Sequence, residues 1–256
     1  QGHRYHGWQR QPQVESVQAM LETQLSKMLG QAIKVAGCGR TDAGVHASQY
    51  FLHFRFAETL DFDPVFRLNK MLPADIVIFD CWPVAEKAHA QHDATSRTYE
   101  YFIHTRKSPF LEDRSSYYEL GADFDWTSVQ KAVSHLPQTQ NYYAFCKRPD
   151  LYVHTLCKVT EAELRSNTDQ TRLRFRIRAN RFLQGMVRLL VGNLLKVGQG
   201  RLPLERFMEA LQEQKSLPFF NAAYPQGLYL TKVEYPYLNL ASPSLGHHLL
   251  DDQWGT

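Results

Sequence analysis

Between Ser16 and a stop at Gly30, the apolar residues Val17, Met20, Leu21, Leu25, Met28 and Leu29 recur at helical spacing, which predicts an amphipathic helix over 16–29. The period then changes. Residues 33–36 read as a short strand running into the turn-rich Gly37-Cys38-Gly39, and Tyr50, Leu52, Phe54 and Phe56 alternate with Phe51, His53 and Arg55 as in a half-buried strand. Asp63-Pro64 couples a capping carboxylate to a proline suited to the first helical turn, opening a helix that ends at Leu72 before Pro73. Residues 76–82 form an apolar run expected to be a strand. Over 97–104, Tyr99, Tyr101 and Ile103 alternate with Thr98, Glu100 and Phe102, which predicts another.

Periodicity lapses and charge rises across 105–116, the best position for a linker. Beyond it the pattern predicts a helix near 125–136, strands near 153–164 and over 171–178, a long helix over 181–197, a short helix from Pro203, a last strand over 227–235 and a Pro/Ser/His-rich tail. Two α+β halves are therefore expected, residues 1–105 and 106–256, each with helices against a mostly antiparallel sheet.

Composition narrows the class. At 256 residues with 43% hydrophobic and 21% charged side chains, the chain has ample core, which excludes a disordered, collagenous or coiled-coil protein. Its longest apolar run, 189–195, is broken by Gly192 and Asn193 and bounded by Arg188 and Lys196, so no membrane span is expected. No cleavable signal precedes the first motif, and Cys38, Cys81, Cys146 and Cys157 show neither CxxC nor zinc-finger spacing. Reduced, mostly buried thiols in a cytoplasmic protein are the expectation.

The formal net charge of +3 is too small to announce a partner, but its distribution is uneven. Residues 171–206 carry nine Lys/Arg and one acid, a local +8, so the rest of the chain carries −5. Within that segment Arg172, Arg174, Arg176 and Arg178 alternate with Leu173, Phe175 and Ile177, placing four guanidinium groups on one face of one strand. Like charges about 7 Å apart repel, and a polyanion would relieve them. The segment has the footprint of a nucleic-acid contact.

The candidate chemistry lies in the glycine-rich loop Gly37-Cys38-Gly39-Arg40-Thr41-Asp42-Ala43-Gly44-Val45-His46-Ala47. A dinucleotide fingerprint counted from Gly37 would put Asp42 where its third glycine belongs, and an anion there repels pyrophosphate. A P-loop fails too, because Gly39 to Gly44 is followed by Val45-His46 rather than Lys-Ser/Thr. What remains is a carboxylate on a tight turn, two residues after an arginine. Asp42 could serve there as a structural turn former or as a catalytic carboxylate, and His46 as a loop hydrogen-bonder or a base.

Gly39 to His46 resembles the active-site motif of the tRNA pseudouridine synthase A family, whose members modify the anticodon stem-loop of tRNA. Four further motifs follow in family order: Tyr5-His6-Gly7-Trp8-Gln9-Arg10-Gln11, Arg97-Thr98-Tyr99-Glu100-Tyr101, Phe182-Leu183-Gln184-Gly185-Met186-Val187-Arg188 and Gly227-Leu228-Tyr229-Leu230. The resemblance covers nearly the whole chain. It implies a fold whose two halves share one continuous, mostly antiparallel sheet flanked by helices, with the active site in a cleft between them. Family members begin with a further β-strand before Gly2-His3-Arg4-Tyr5, so either a native chain about one strand longer or an exposed sheet edge is expected.

The activity implied is isomerisation of uridine to pseudouridine at positions 38, 39 and/or 40 of tRNA, with no cofactor and no metal. By the same resemblance Asp42 is the essential carboxylate, Arg188 its ion-pair partner, Tyr99 the ring that packs on the uracil and helps remove the C5 proton, Arg40 the residue that fills the place of the flipped base, and Leu228 the apolar contact on the base's other face. The partners implied are tRNA and a second copy of the chain. We expect Arg172, Arg174, Arg176 and Arg178, with Arg181, to border the tRNA cleft. Three rival readings are a non-catalytic RNA-binding protein of the same fold, a pseudouridine synthase for another RNA site, and a metal-dependent nuclease. The first would have lost Asp42 or its arginine, and the third needs clustered carboxylates where the loop has one.

Overall fold

A computed structural model describes residues 1–213 and 222–238. The tail, from Asn239 on, lies outside the described residues. Helix α1 spans Val17–Leu29, with the Ser16 side chain accepting from the Ala19 N–H and Gly30 closing the helix in the left-handed region at φ 69°. Strands β1 (Ala36–Gly37), β2 (His46–Ala47) and β3 (Leu52–His53) follow, and then helix α2 (Pro64–Met71), whose Asp63 cap accepts from the N–H groups of Val65 and Phe66. Then come β4 (Ser96–His104), β5 (Ser116–Tyr117), α3 (Trp126–His135), β6 (Val159–Ser166), β7 (Arg172–Ala179), α4 (Met186–Gly198), α5 (Leu204–Glu213) and β8 (Leu228–Glu234).

Among the described residues the main sheet has the order β2-β8-β4-β7-β6, with β5 against the end of β4. Pairings β4–β7, β4–β8 and β6–β7 are antiparallel, while β2–β8 and β4–β5 are parallel. Strand β4, which precedes the expected boundary at residue 105, is flanked by two strands from the far part of the chain. On one face of the sheet Leu173, Phe175 and Ile177 of β7 and Tyr101 and Ile103 of β4 pack under α3 and α4, where Val129, Val133, Leu190 and Leu194 complete the core. A smaller core of Trp8, Leu21, Leu25, Ile33, Val35, Leu68 and Leu72 holds α1 and α2 together.

Several boundaries differ from the sequence pattern, each for a local reason. The expected strand at 33–36 shrinks because side chains of α1 take its backbone donors: Ser26 Oγ accepts from the Ile33 N–H (2.9 Å) and Glu22 Oε1 from the Val35 N–H (3.2 Å). Only Ala36–Gly37 then pairs with β3, which is itself cut to Leu52–His53. The apolar run 76–82 forms no ladder among the described residues. Asn69 instead grips Ile78 from both sides, accepting from its N–H and donating to its carbonyl, while Val77 and Phe79 remain exposed. Strand β6 starts at Val159 rather than near 153, because the preceding loop turns back to give a Tyr142 N–H bond to the Thr155 carbonyl. Helix α4 starts at Met186 rather than 181, since Gly185 sits at φ 74°, a conformation no helix interior accepts.

The arginine face also has its explanation in the sheet. Opposite Arg176 and Arg178, the neighbouring strands set carboxylates: Arg176 lies 3.4 Å from Glu100 and 3.8 Å from Glu161, and Arg178 lies 3.0 Å from Glu161 and pairs with Glu234. The repulsion that the β7 sequence implies is therefore countered at Arg176 and Arg178 by acids 76, 17 and 56 positions away along the chain, brought alongside by strand pairing. Glu234, held by the Ser96 hydroxyl, Lys232 and Arg178, has its carboxyl lowered to about 2.

Helix α4 ends against Phe124 so tightly that a Cβ on Gly198 would lie 2.1 Å from the Phe124 ring. Gly198→Ala is expected to lower the unfolding free energy by about 1–3 kcal/mol, measured by urea titration, whereas an unchanged midpoint would contradict this packing.

Candidate active site

Asp42 lies in the loop between β1 and β2, and β2 fastens that loop to the edge of the main sheet beside β8. The loop closes on itself with a Val45 N–H bond to the Asp42 carbonyl, 3.2 Å, and needs Gly44 at φ 77° to do so. The N-terminal segment braces one side. The Gly44 N–H donates to the Tyr5 carbonyl, the Trp8 N–H donates to the Thr41 carbonyl, and Gly7 approaches so closely that a Cβ there would stand 2.3 Å from the Thr41 oxygen. From the other side the Tyr50 hydroxyl donates to the Gly39 carbonyl, and Arg97 Nη2 donates to the Cys38 carbonyl at 2.9 Å. The loop that carries Asp42 is thus held by three separate parts of the chain.

Its carboxylate is held by a fourth. Arg188, in the first turn of α4, donates from Nη1 to Asp42 Oδ2 at 2.9 Å and from Nε to the Ala223 carbonyl at 2.7 Å. The two ion-pair side chains remain 20% and 37% exposed, so the pair is open to a ligand while the fork fixes its direction. Tyr99 lies on the same sheet face as the core beneath α4, edge-on to Phe182 with ring centroids 4.9 Å apart. Burial raises its phenol pKa, with Cys38 and the Asp42 charge adding to the rise, so the hydroxyl stays protonated at neutral pH. A β-bulge falls at this point, where Thr98 opposes Lys232 but Tyr99 opposes Leu230. Leu228, buried at the start of β8, is on the Tyr99 face next to Tyr101.

The structure therefore brings Asp42 and Arg188 into contact and sets Tyr99 and Leu228 on the adjoining sheet face. Arg40 is exposed two residues before Asp42. Arg181 stacks over Tyr152, 5.6 Å from its centroid, just ahead of α4. Arg172, Arg174, Arg176 and Arg178 are not brought to this place. Strand alternation sends them to the opposite face from Tyr99, beside Glu100 and Thr98, because Tyr99 is in register with Ile177.

The sequence pattern places Tyr50 and Arg97 on strands but gives neither a role as a clamp on the loop, and the strip 222–226 that carries Ala223 has no periodicity to notice. Among the described residues no group of three His, Cys, Asp or Glu side chains is arranged to hold a metal ion.

The arginine-held carboxylate stands at the edge of a mixed α/β sheet, with a tyrosine and a leucine on the adjoining face. Comparison with known proteins gives the class. The family model for tRNA pseudouridine synthase matches residues 132–236. The chain is 39% identical over 237 residues to the tRNA pseudouridine synthase A of Bacteroides thetaiotaomicron, covering 92% of this chain and 87% of that one. It is equally similar to the enzyme of Bacteroides fragilis (39%, 92% and 93%) and 36% identical over 241 residues to that of a Picosynechococcus species (92% and 86%). The chain belongs to the tRNA pseudouridine synthase A family. It is an enzyme that makes pseudouridine in tRNA, and among its described residues no helix is long and apolar enough to cross a membrane.

His46, four residues after Asp42, locks the loop to the N-terminal segment. Its Nδ1 accepts from the Gly2 N–H at 3.0 Å, its ring stacks on Tyr229 at 4.6 Å, and its Nε2 is buried with no hydrogen-bond partner among the described residues. Burial lowers its pKa to about 4. The unfolded chain then takes up a proton near pH 6.5 that the folded protein refuses, so the stability from neutral His46 is full above pH 6.5 and is lost as pH falls toward 4, by about 3 kcal/mol. In urea titrations, the loss of stability from pH 7 to pH 4 should be smaller for His46→Gln than for wild type. Parallel losses in the two proteins would refute it.

Proposed function

We propose that this enzyme isomerises uridine at positions 38, 39 and/or 40, in the anticodon stem-loop of tRNA, with Asp42 as its catalytic carboxylate. The observation that carries this reading is the Arg188–Asp42 contact, which joins two motifs 146 residues apart into one directed ion pair.

The reaction breaks the N1–C1′ bond of uridine, turns the uracil and joins C5 to C1′. The C5 proton leaves and N1 ends protonated, so nothing is oxidised and nothing is consumed. A carboxylate can attack C1′ or take the C2′ proton, and both routes start from the same ionised Asp42. Arg188 supports either by fixing the direction of the Asp42 lone pairs. Tyr99 packs on the uracil as a neutral phenol, and to help remove the C5 proton it must pass on its own. Leu228 offers the apolar contact on the other face of the base.

A uridine in a stem-loop must leave its stack to reach Asp42, at a cost of a few kcal/mol. Arg40, exposed beside the loop, is the residue suited to take the vacated place. Arg181, over the Tyr152 ring just ahead of α4, is the member of the basic segment assigned to the RNA backbone. With this reading go a cytoplasmic location and a homodimer that holds tRNA across both subunits.

The test is to treat unmodified tRNA with wild type and with Asp42→Asn and to map pseudouridine by chemical reactivity. Wild type should modify positions 38–40, and Asp42→Asn should bind tRNA yet lose activity by at least about 1,000-fold. Product elsewhere in the tRNA would overturn the site assignment, and product from the variant would overturn the role of Asp42.

A further inference from the structure

Next to the Asp42–Arg188 pair stands an aromatic ring that neither the fold nor the chemistry above uses. Tyr224 is 57% exposed, an unusual degree for a tyrosine whose chain neighbours are so firmly held. On one side of it, Ala223 is tied twice to Arg188: its N–H donates to the Arg188 carbonyl at 2.8 Å, and its carbonyl accepts from Arg188 Nε. On the other side, Pro225 packs against Gly44, where a Cβ would meet the proline ring at 3.1 Å. The strip thus runs between the catalytic arginine and the turn that carries the catalytic aspartate.

The backbone of Tyr224 itself is fixed at both ends. Its N–H donates to the Tyr118 hydroxyl at 3.1 Å, and its carbonyl accepts from the Tyr101 hydroxyl at 2.7 Å. One face of the ring stacks on Tyr118, with centroids 5.4 Å apart and planes 30° from parallel. An exposed ring that is already backed by a second ring and pinned through its main chain loses little freedom when a flat group lands on it. Proteins that hold single-stranded RNA use such rings as platforms for unpaired bases.

We propose that Tyr224 is a stacking platform for a nucleobase of the RNA, one next to the uridine being isomerised. This rests on the reading of the site given above and adds to it a binding residue, one that touches substrate away from the reacting atoms. Flipping the target uridine leaves its neighbours partly unstacked, and the Tyr224 ring offers one of them a new partner. Tyr118 and Tyr224 would then continue the base stack into the protein.

Four variants test this: Tyr224→Phe, Tyr224→Trp, Tyr224→Ala and Tyr224→Leu. Their main-chain anchors to Tyr118 and Tyr101 are the same as in wild type. Activity is read as tritium released from tRNA labelled at uridine C5, whichever position is modified, so an error in the assigned positions does not disturb the result. Binding is read from the quenching of 2-aminopurine, scanned through the stem-loop positions that flank the target. Phe and Trp should keep KM within twofold of wild type. Ala and Leu should raise KM by about 5- to 150-fold with kcat within threefold, and should lose the quenching that wild type shows at one flanking position. The proposal is overturned if Tyr224→Ala keeps wild-type KM and quenching. A fall in kcat at constant KM would also overturn it, because the ring would then be acting through Arg188 rather than on a base.

Discussion

One guanidinium group gathers the active site. Arg188 reaches from α4 to the Asp42 carboxylate with one nitrogen and to the Ala223 carbonyl with another, and Ala223 returns the bond to the Arg188 backbone. Three segments distant in sequence meet on that planar fork: the glycine-rich loop, the helix and the strip before β8. The geometry is specific because a guanidinium donates along fixed directions, which an ammonium does not. Arg188 can hold this position because the rest of the first turns of α4 are buried against the sheet, so the helix has no freedom to roll.

The sheet separates two uses of charge. Beneath α3 and α4 its face is apolar and ends at Tyr99, Leu228 and the Asp42–Arg188 pair. Its other face carries the arginines of β7, interleaved with Glu100, Glu161 and Glu234. A cluster of +8 in one segment is thus an internal matter of strand pairing for at least Arg176 and Arg178. On the proposed reading, what faces the substrate is sparser: Arg40, Arg181 and the open side of the ion pair. Shape and stacking must then supply part of what a wholly basic cleft would supply by charge.

The elements that were legible in the sequence are those whose signals are local. Ser16 and Asp63 capped the helices that they mark, Gly30 ended one, and the alternation over 97–104 became the central strand. Residues 76–82 misled because a strand needs a partner as well as an apolar run, and Asn69 took the place of one. The arginine face misled for a related reason: the period of a strand tells which side chains share a face, but not which strands will lie beside it or what charges they bring. The Asp42–Arg188 contact spans 146 residues, so only the likeness of two separate motifs to one family could foretell it. Tyr224 and Ala223 left no trace, since their positions depend on hydrogen bonds to Tyr118, Tyr101 and Arg188 rather than on any repeat.

On the proposed reading, the directed fork of Arg188, beyond its charge, makes Asp42 competent. Arg188→Lys keeps the charge and removes the fork, so its single-turnover rate of pseudouridine formation at saturating enzyme is the most direct test. A rate lower by at least about 100-fold, with tRNA affinity within threefold of wild type, is what a misdirected carboxylate predicts. A rate equal to that of wild type would contradict it.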